Sequence, residues 1–315
     1  MMFALRCLGV SLAFFLITYC LLSAGVSLGW RLIRIAGFRG PARRVADLLF
    51  ALRCLPVVAA SAVAIVFVVP SFLLLEPRVS SEPIGEIPLA LGACSVLVLA
   101  VGVVRAYEAQ SRTSQAVENW LVEATALPRQ ERVPVYRIRP AVPAFTVTGV
   151  CAPRVLFSEA AVTLLTRFEL EAAMKHEIAH VRRRDNLKKL LFLLFGFPGM
   201  NALEAAWSDA EEMAADDAAV SSAYEALDLA SALIKLSRLA PLHPVAALTT
   251  ALVSSPAAAV NARVSRLVAW EERNADDSLV SWHWGAAMLG AVVSVAFIYG
   301  PVLNGVHALT EYLVR

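Results

Sequence analysis

Four stretches of this 315-residue chain carry no charged side chain: Cys7 to Trp30, Cys54 to Leu75, Ile87 to Val104 and Leu279 to Thr310, the last counting its histidines as neutral. Each is long enough to cross a bilayer, which takes about 17–25 helical residues. Four such runs with charged flanks predict membrane spans rather than buried core helices, the third being the shortest. The apolar part of the first run is longer than the roughly 7–15 residues of a signal-peptide core, and arginines follow it directly, so it reads as a retained span.

Charge between the spans sets an expected orientation. Arg31, Arg34, Arg39, Arg43, Arg44 and Arg53 lie between the first two runs, opposed only by Asp47, and predict a cytoplasmic Arg-rich loop over 31–53. The connection from Glu76 through Arg78 and Glu82 to Glu86 is net acidic and reads as external. Arg6 argues weakly against the external N-terminus that follows. The expected organisation is three spans over 1–106, a cytoplasmic domain over 107–278, and a fourth span with a short external tail over 279–315.

Between the third and fourth runs the period of the pattern changes. Residues 107–127 read as a polar helix. Val133–Arg139 alternates like a strand, and Phe145–Gly149 and Pro153–Phe157 suggest two more, with a turn at Gly149–Pro153 and Pro140 and Pro143 before it. A small antiparallel sheet is the expectation. Ser158 or Glu159 opens a short helix. Thr166 and Glu169 have capping-box spacing for a helix with no Gly or Pro until Gly196. Arg182, Arg183, Arg184, Lys188 and Lys189 then form either a solvated face or an anchor to anionic lipid, ahead of the apolar stretch Leu190–Leu203.

Composition agrees with a membrane protein: 58% of residues are hydrophobic and 17% charged, against about 45–50% and about 25% in soluble domains. The net charge of +2 and the lack of a basic block give no footprint for nucleic acid. Four of the five cysteines lie in apolar runs, and Cys151 reads as a plain reduced thiol. No CxxC suggests a cysteine metal site or a disulfide framework.

The chemistry is concentrated in His176-Glu-Ile-Ala-His180, which takes two of the five histidines. On a helix, positions i and i+4 share a face, so both imidazoles can address one zinc ion. Glu177 is then placed to act as general base on water. A catalytic zinc needs a third protein ligand. The later helical segment Asp209–Ala219 offers Glu211, Glu212, Asp216 and Asp217. Glu212 and Asp216 share a face, so one can bind the ion while the other orients a ligating imidazole. His243 is a free candidate for oxyanion stabilisation, although a turn histidine is the plainer reading. His283 and His307 flank the last span.

Pro143-Ala-Phe-Thr-Val-Thr-Gly149, Pro153–Glu159, the run from Phe168 through the pentad to Asn186, and Glu212-Met-Ala-Ala-Asp216 together resemble the M56 membrane metallopeptidases, the BlaR1/MecR1-type sensor proteases of bacteria. The resemblance covers nearly the whole chain. It implies an α-helical multi-pass membrane protein with a cytoplasmic α+β gluzincin-type zinc metallopeptidase domain, in the bacterial inner membrane with its active site on the cytoplasmic side. It carries His176, His180 and Glu212 over as ligands of one Zn2+ per chain, Glu177 as general base and Asp216 as partner of a ligating histidine. The chain departs from the antibiotic sensors in having no S-x-x-K motif and no external penicillin-binding domain. A separate sensor protein is then an expected partner.

The expected function is cleavage of a cytosolic or membrane-proximal protein, such as a transcriptional repressor, in signal-dependent regulation. The substrate would add as a strand at Phe145, Thr146, Val147 and Thr148. Two alternatives stand beside it: an M48-like protease for quality control of membrane proteins, and a non-catalytic membrane signal transducer.

Overall fold

The computed structural model describes residues 2–36, 40–76, 85–139, 144–239, 248–252, 257–270 and 299–310. The chain divides into two compact units. One comprises residues 1–32, 54–101 and 273–315, the other residues 33–53 and 102–272.

The first unit holds the apolar parts of three long helices. These are α1 (Met2–Ala36), α2 (Ala42–Ala62), which runs on through a π-helical turn at Val63–Val68 into α3 (Val69–Leu75), and α4 (Glu86–Leu121). Phe3–Ile33, Ala42–Leu75 and Glu86–Leu121 are long and apolar enough to cross a membrane. Leu21, Leu28, Ile65 and Leu97 stand outward on them and are exposed, an arrangement that a hydrocarbon surround favours and water penalises. Between helices, Val10, Val68 and Phe72 make a small buried seam.

A proline follows the π-turn closely. Pro70 has no N–H to give the carbonyl one turn back, at Val66. In lipid that carbonyl would be costly to leave bare, and the Tyr299 hydroxyl donates to it at 3.1 Å. Arg6, the charge that argued against the expected orientation, is buried and paired with Glu76 at 3.3 Å. Most of the expected fourth span lies outside the described residues; residues 299–310 are helical.

The second unit is α+β. Its sheet consists of β1 (Thr125–Gln130), β2 (Val133–Ile138), β3 (Phe145–Thr148), β4 (Arg154–Ser158) and β5 (Thr249–Ala251), in the order β1-β2-β4-β3-β5. The sheet is mixed, which corrects the antiparallel expectation: β2 and β4 run parallel, and the other pairs antiparallel. Two strands escaped the sequence pattern. β1 is almost wholly exposed and so shows no alternation, and β5 is only three residues long. Phe145 opposite Phe157 and Val147 opposite Val155 fix the β3–β4 register, the two rings stacking at 5.4 Å. Gly149 closes this hairpin at φ +91°, where an added Cβ would meet the Ala152 carbonyl oxygen at 2.5 Å.

Helices α5 (Glu159–Leu164), α6 (Arg167–Arg183), α7 (Asp185–Leu194), α8 (Asn201–Ala219), α9 (Ala223–Ser237) and α10 (Ala257–Val268) complete the unit. Ser158 caps α5, and Thr166 with Glu169 forms the expected capping box on α6. The same Glu169 carboxylate accepts from Ser231 and Lys235 of α9, tying the start of α6 into the core. That core joins Val135, Phe145, Val155 and Phe157 of the sheet to Ala172 and Ala173 of α6 and Leu229 and Leu233 of α9.

Two further expectations are corrected. The helix carrying the pentad does not continue to Gly196. Arg184 takes a left-handed conformation (φ 54°), ends α6 and starts α7 in a new direction. The segment 31–53 is not a loop throughout, because α2 begins at Ala42. Its Arg53 is buried, donating to Glu204 at 2.7 Å and to the carbonyls of Phe192 and Phe195 at the end of α7. In the basic run after the pentad, Arg182 and Arg184 stay exposed, and four of the five side chains meet carboxylates. Arg182 meets Glu131, Arg183 meets Asp47, Lys188 meets Asp185 and Lys189 meets Glu211.

Two substitutions separate local capping from backbone strain. Thr166→Ala should cost about 1 kcal/mol, the usual loss for an N-cap. Gly149→Ala should cost about 2 kcal/mol or more, from both the positive φ and the carbonyl clash. Thermal unfolding of the detergent-solubilised protein should rank them in that order.

Candidate metal centre

The middle of α6 is dry. His176, Glu177 and His180 are each no more than 1% exposed, as is Asp216 of α8, and Glu212 is 3% exposed. Helical spacing brings the two imidazoles onto one side, with His176 Nε2 and His180 Nε2 3.1 Å apart. The Glu212 carboxylate completes the group, 3.6 Å from His176 Nε2 and 3.8 Å from His180 Nε2. These three residues offer ligand atoms that all lie within 4.8 Å of one another.

Each ring is held from behind by a carboxylate. His180 Nδ1 donates to Asp185 Oδ2 at 2.8 Å. His176 Nδ1 lies 3.0 Å from Asp216 Oδ1, off the line of a straight hydrogen bond. With both Nδ1 protons turned toward carboxylates, the facing Nε2 atoms present two lone pairs when both rings are neutral and share a proton when His176 is charged. Two acceptors at 3.1 Å repel unless a cation lies between them. Ligand bonds of about 2.0–2.1 Å in a tetrahedral zinc site would put two nitrogens about 3.3 Å apart, close to the separation seen. The donor set therefore fits a metal ion.

Electrostatics follow from burial. Burial opposes a charged ring at His176, but the Asp216 and Glu212 carboxylates outweigh it and raise its pKa to about 9. At His180 burial prevails over Asp185 and lowers the pKa. Burial pushes Glu177 up to about 8, opposed by the His176 ring and reinforced by Glu212. Both Glu177 carboxylate oxygens are buried, with the Leu252 backbone approaching as a hydrogen-bonding group. Burial alone would raise Glu212; Arg263 of α10 and the two histidines reverse this and hold it at about 2.

Two contributors were not singled out in the sequence. Asp185 is hidden inside the basic run, and only the turn at Arg184 swings it back onto His180. Arg263 sits among alanines and valines in α10, three residues before Arg266. It is 3% exposed and grips Asp216 with Nε at 2.8 Å and Nη2 at 2.6 Å. A buried arginine in an apolar helix stretch demands an acidic partner, which is the one signal that could have found it. A second group, His180, Asp185 and Glu211, also has its ligand atoms close together. Here, however, Lys188 and Lys189 already sit on the carboxylates at 3.0 Å.

The expected substrate strand is corrected. Phe145–Thr148 is flanked on both sides, by β4 and by β5, so it has no free edge. Among the described residues β5 is the edge strand on that side. The backbone of Leu252, just after β5, lies against the Glu177 carboxylate. A cavity of about 410 Å³ beside His180 is lined by Val147, Cys151, Asn186 and Thr250 among others. Asn186 holds its wall in place, donating to the carbonyls of Val147 and Gly149 at 3.3 Å. His243 and His283 lie outside the described residues, and His307 is on the helix of residues 299–310, in the other unit.

Residues 57–267 match the BlaR1 peptidase M56 family. The chain belongs to that family. The match takes in well over half of the chain, including every residue of the buried centre, and the M56 peptidases are metallopeptidases. No curated protein matches the chain. Membership also agrees with the three apolar helices: this M56 peptidase is a membrane protein.

A ligating imidazole must offer an unprotonated nitrogen, so uptake has to expel the His176 proton. Metal affinity should therefore climb with pH and flatten above about 9. The metal-free protein should respond in the opposite sense. The raised pKa of His176 contributes stability that is fully present below the ordinary 6.5 and is lost as pH rises through about 9. Competition with a zinc indicator across pH, beside melting of chelated protein, measures both arms.

Proposed function

We propose that this M56 peptidase is a membrane-embedded zinc endopeptidase of gluzincin type, with one Zn2+ per chain held by His176, His180 and Glu212. The observation that carries the reading is the pair of Nε2 atoms facing each other at 3.1 Å beside the Glu212 carboxylate. Two nitrogens and one carboxylate oxygen form a donor set typical of catalytic zinc. Asp185 and Asp216 orient the imidazoles from behind.

When bound, the zinc would polarise the scissile carbonyl and lower the pKa of water in the site. Glu177 acts as general base. In the metal-free protein burial raises its carboxyl pKa to about 8, and from this place beside the ligand set it can take a proton from the attacking water and pass it to the leaving amine nitrogen. An extended substrate would lie along β5, the edge strand nearest Glu177, rather than along Phe145–Thr148.

The site is read as facing the cytoplasm at the inner membrane, since the arginines around α2 favour that side. The substrate is then a cytosolic or membrane-proximal protein, with a transcriptional repressor the leading candidate and a separate sensor protein supplying the stimulus.

The test is a matched pair of proteins. The purified chain should hold about one zinc and cleave one or two defined proteins in cells. Glu177→Gln should keep the zinc and lose at least about a hundredfold in cleavage. Cleavage retained by Glu177→Gln would sink the assignment, and normal signalling by that variant would point to a non-catalytic transducer.

A further inference from the structure

Glu212 and Asp216 stand one helical turn apart on α8, and both are buried. Two carboxylates this close in a dry interior repel, and each is costly to bury without a compensating charge. The groups facing them from α6 are His176, His180 and Glu177, which supply no permanent positive charge. Lys189 of α7 is committed to Glu211, at 3.0 Å. The permanent cation in contact with both carboxylates is Arg263. Its Nε and Nη2 grip Asp216 bidentately, its Nη1 lies 2.8 Å from Glu212 Oε2, and the same Nη1 donates to the Leu252 carbonyl at 3.0 Å. One guanidinium thus ties together the third ligand candidate, the carboxylate behind His176, and the backbone that lies against Glu177.

We propose that Arg263 is a positioning residue that keeps the metal site assembled in the absence of metal. It compensates Glu212 and Asp216 and fixes their direction, so that the two imidazoles and the carboxylate already converge when the ion arrives. This role rests on the zinc reading given above. Its consequence is asymmetric. Without Arg263, an incoming divalent cation can replace the missing charge in full, whereas the metal-free protein has only a proton on His176 to offset it in part. Loss of Arg263 therefore harms the metal-free form more than the loaded one. A guanidinium that merely fastened α10 to α8 would matter equally in both.

The same two helices carry a built-in comparison. One turn after Arg263, Arg266 pairs with Asp217 and donates to the Met213 carbonyl at 3.3 Å. It joins α10 to α8 without touching the metal-site residues.

The experiment uses the full chain in detergent, melted after chelation with EDTA and again with saturating zinc, for the wild type, Arg263→Gln, Arg263→Lys and Arg266→Gln. The quantity read is the gap between the two melting temperatures. In Arg263→Gln the chelated form should fall by roughly 10 °C, as expected when one member of a buried ion pair is removed, and the zinc-loaded form by less than half of that, widening the gap. Arg263→Lys, which keeps the charge but loses the bidentate grip, should lie between Arg263→Gln and the wild type. If Arg263→Gln folds only when zinc is present throughout expression, that is the same result in stronger form, and Arg263→Lys then supplies the measured gap. Arg266→Gln should lower both forms alike and leave the gap unchanged. Equal losses in both forms for Arg263→Gln, matching Arg266→Gln, would overturn the proposal and leave the zinc reading intact. No zinc-dependent shift in the wild type would instead overturn the zinc reading, and this proposal with it.

Discussion

Charge compensation in a dry interior is the constraint from which the rest of this domain follows. A helix that turns two imidazoles and a glutamate inward, beside a second helix that turns two carboxylates inward, cannot form a core by apolar packing alone. Each buried group must find a partner of opposite character. His180 finds Asp185, His176 finds Asp216, and Asp216 and Glu212 share Arg263. The two Nε2 atoms are left facing one another. The ligand atoms of His176, His180 and Glu212 converge on the place a cation would take.

This network explains features of the fold that otherwise look incidental. The left-handed residue at Arg184 breaks a helix of high propensity, and that break is what returns Asp185 to His180. The short strand β5 buries Thr250, which receives the Thr146 hydroxyl on its carbonyl, and is followed directly by the Leu252 carbonyl that Arg263 requires. In the membrane unit the same accounting recurs on a smaller scale, where Pro70 strips Val66 of its donor and Tyr299 replaces it.

Much of this was legible along the chain because it is local. The pentad, the Thr166–Glu169 capping box and the face shared by Glu212 and Asp216 are relations between residues three or four apart, which helix periodicity fixes wherever the helix goes. The apolar spans are likewise a matter of run length. β1 and β5 were invisible for the opposite reason: one has no buried face to alternate with, and the other is too short for any period to show. The expectation that Phe145–Thr148 offers an open edge failed because β5, about a hundred residues later, fills it.

By itself the sequence determined which residues are capable of the chemistry, since imidazole and carboxylate at helical spacing have few other uses at such density. It also determined that the chain has helices suited to a membrane. The tertiary structure alone decided which carboxylate backs which histidine, that Lys188 and Lys189 meet the buried carboxylates of Asp185 and Glu211, and that Arg263 is the cation shared by Glu212 and Asp216. Those are contacts across tens of residues, set by the solvation cost of buried charge rather than by local propensity. Only a folded interior imposes that cost.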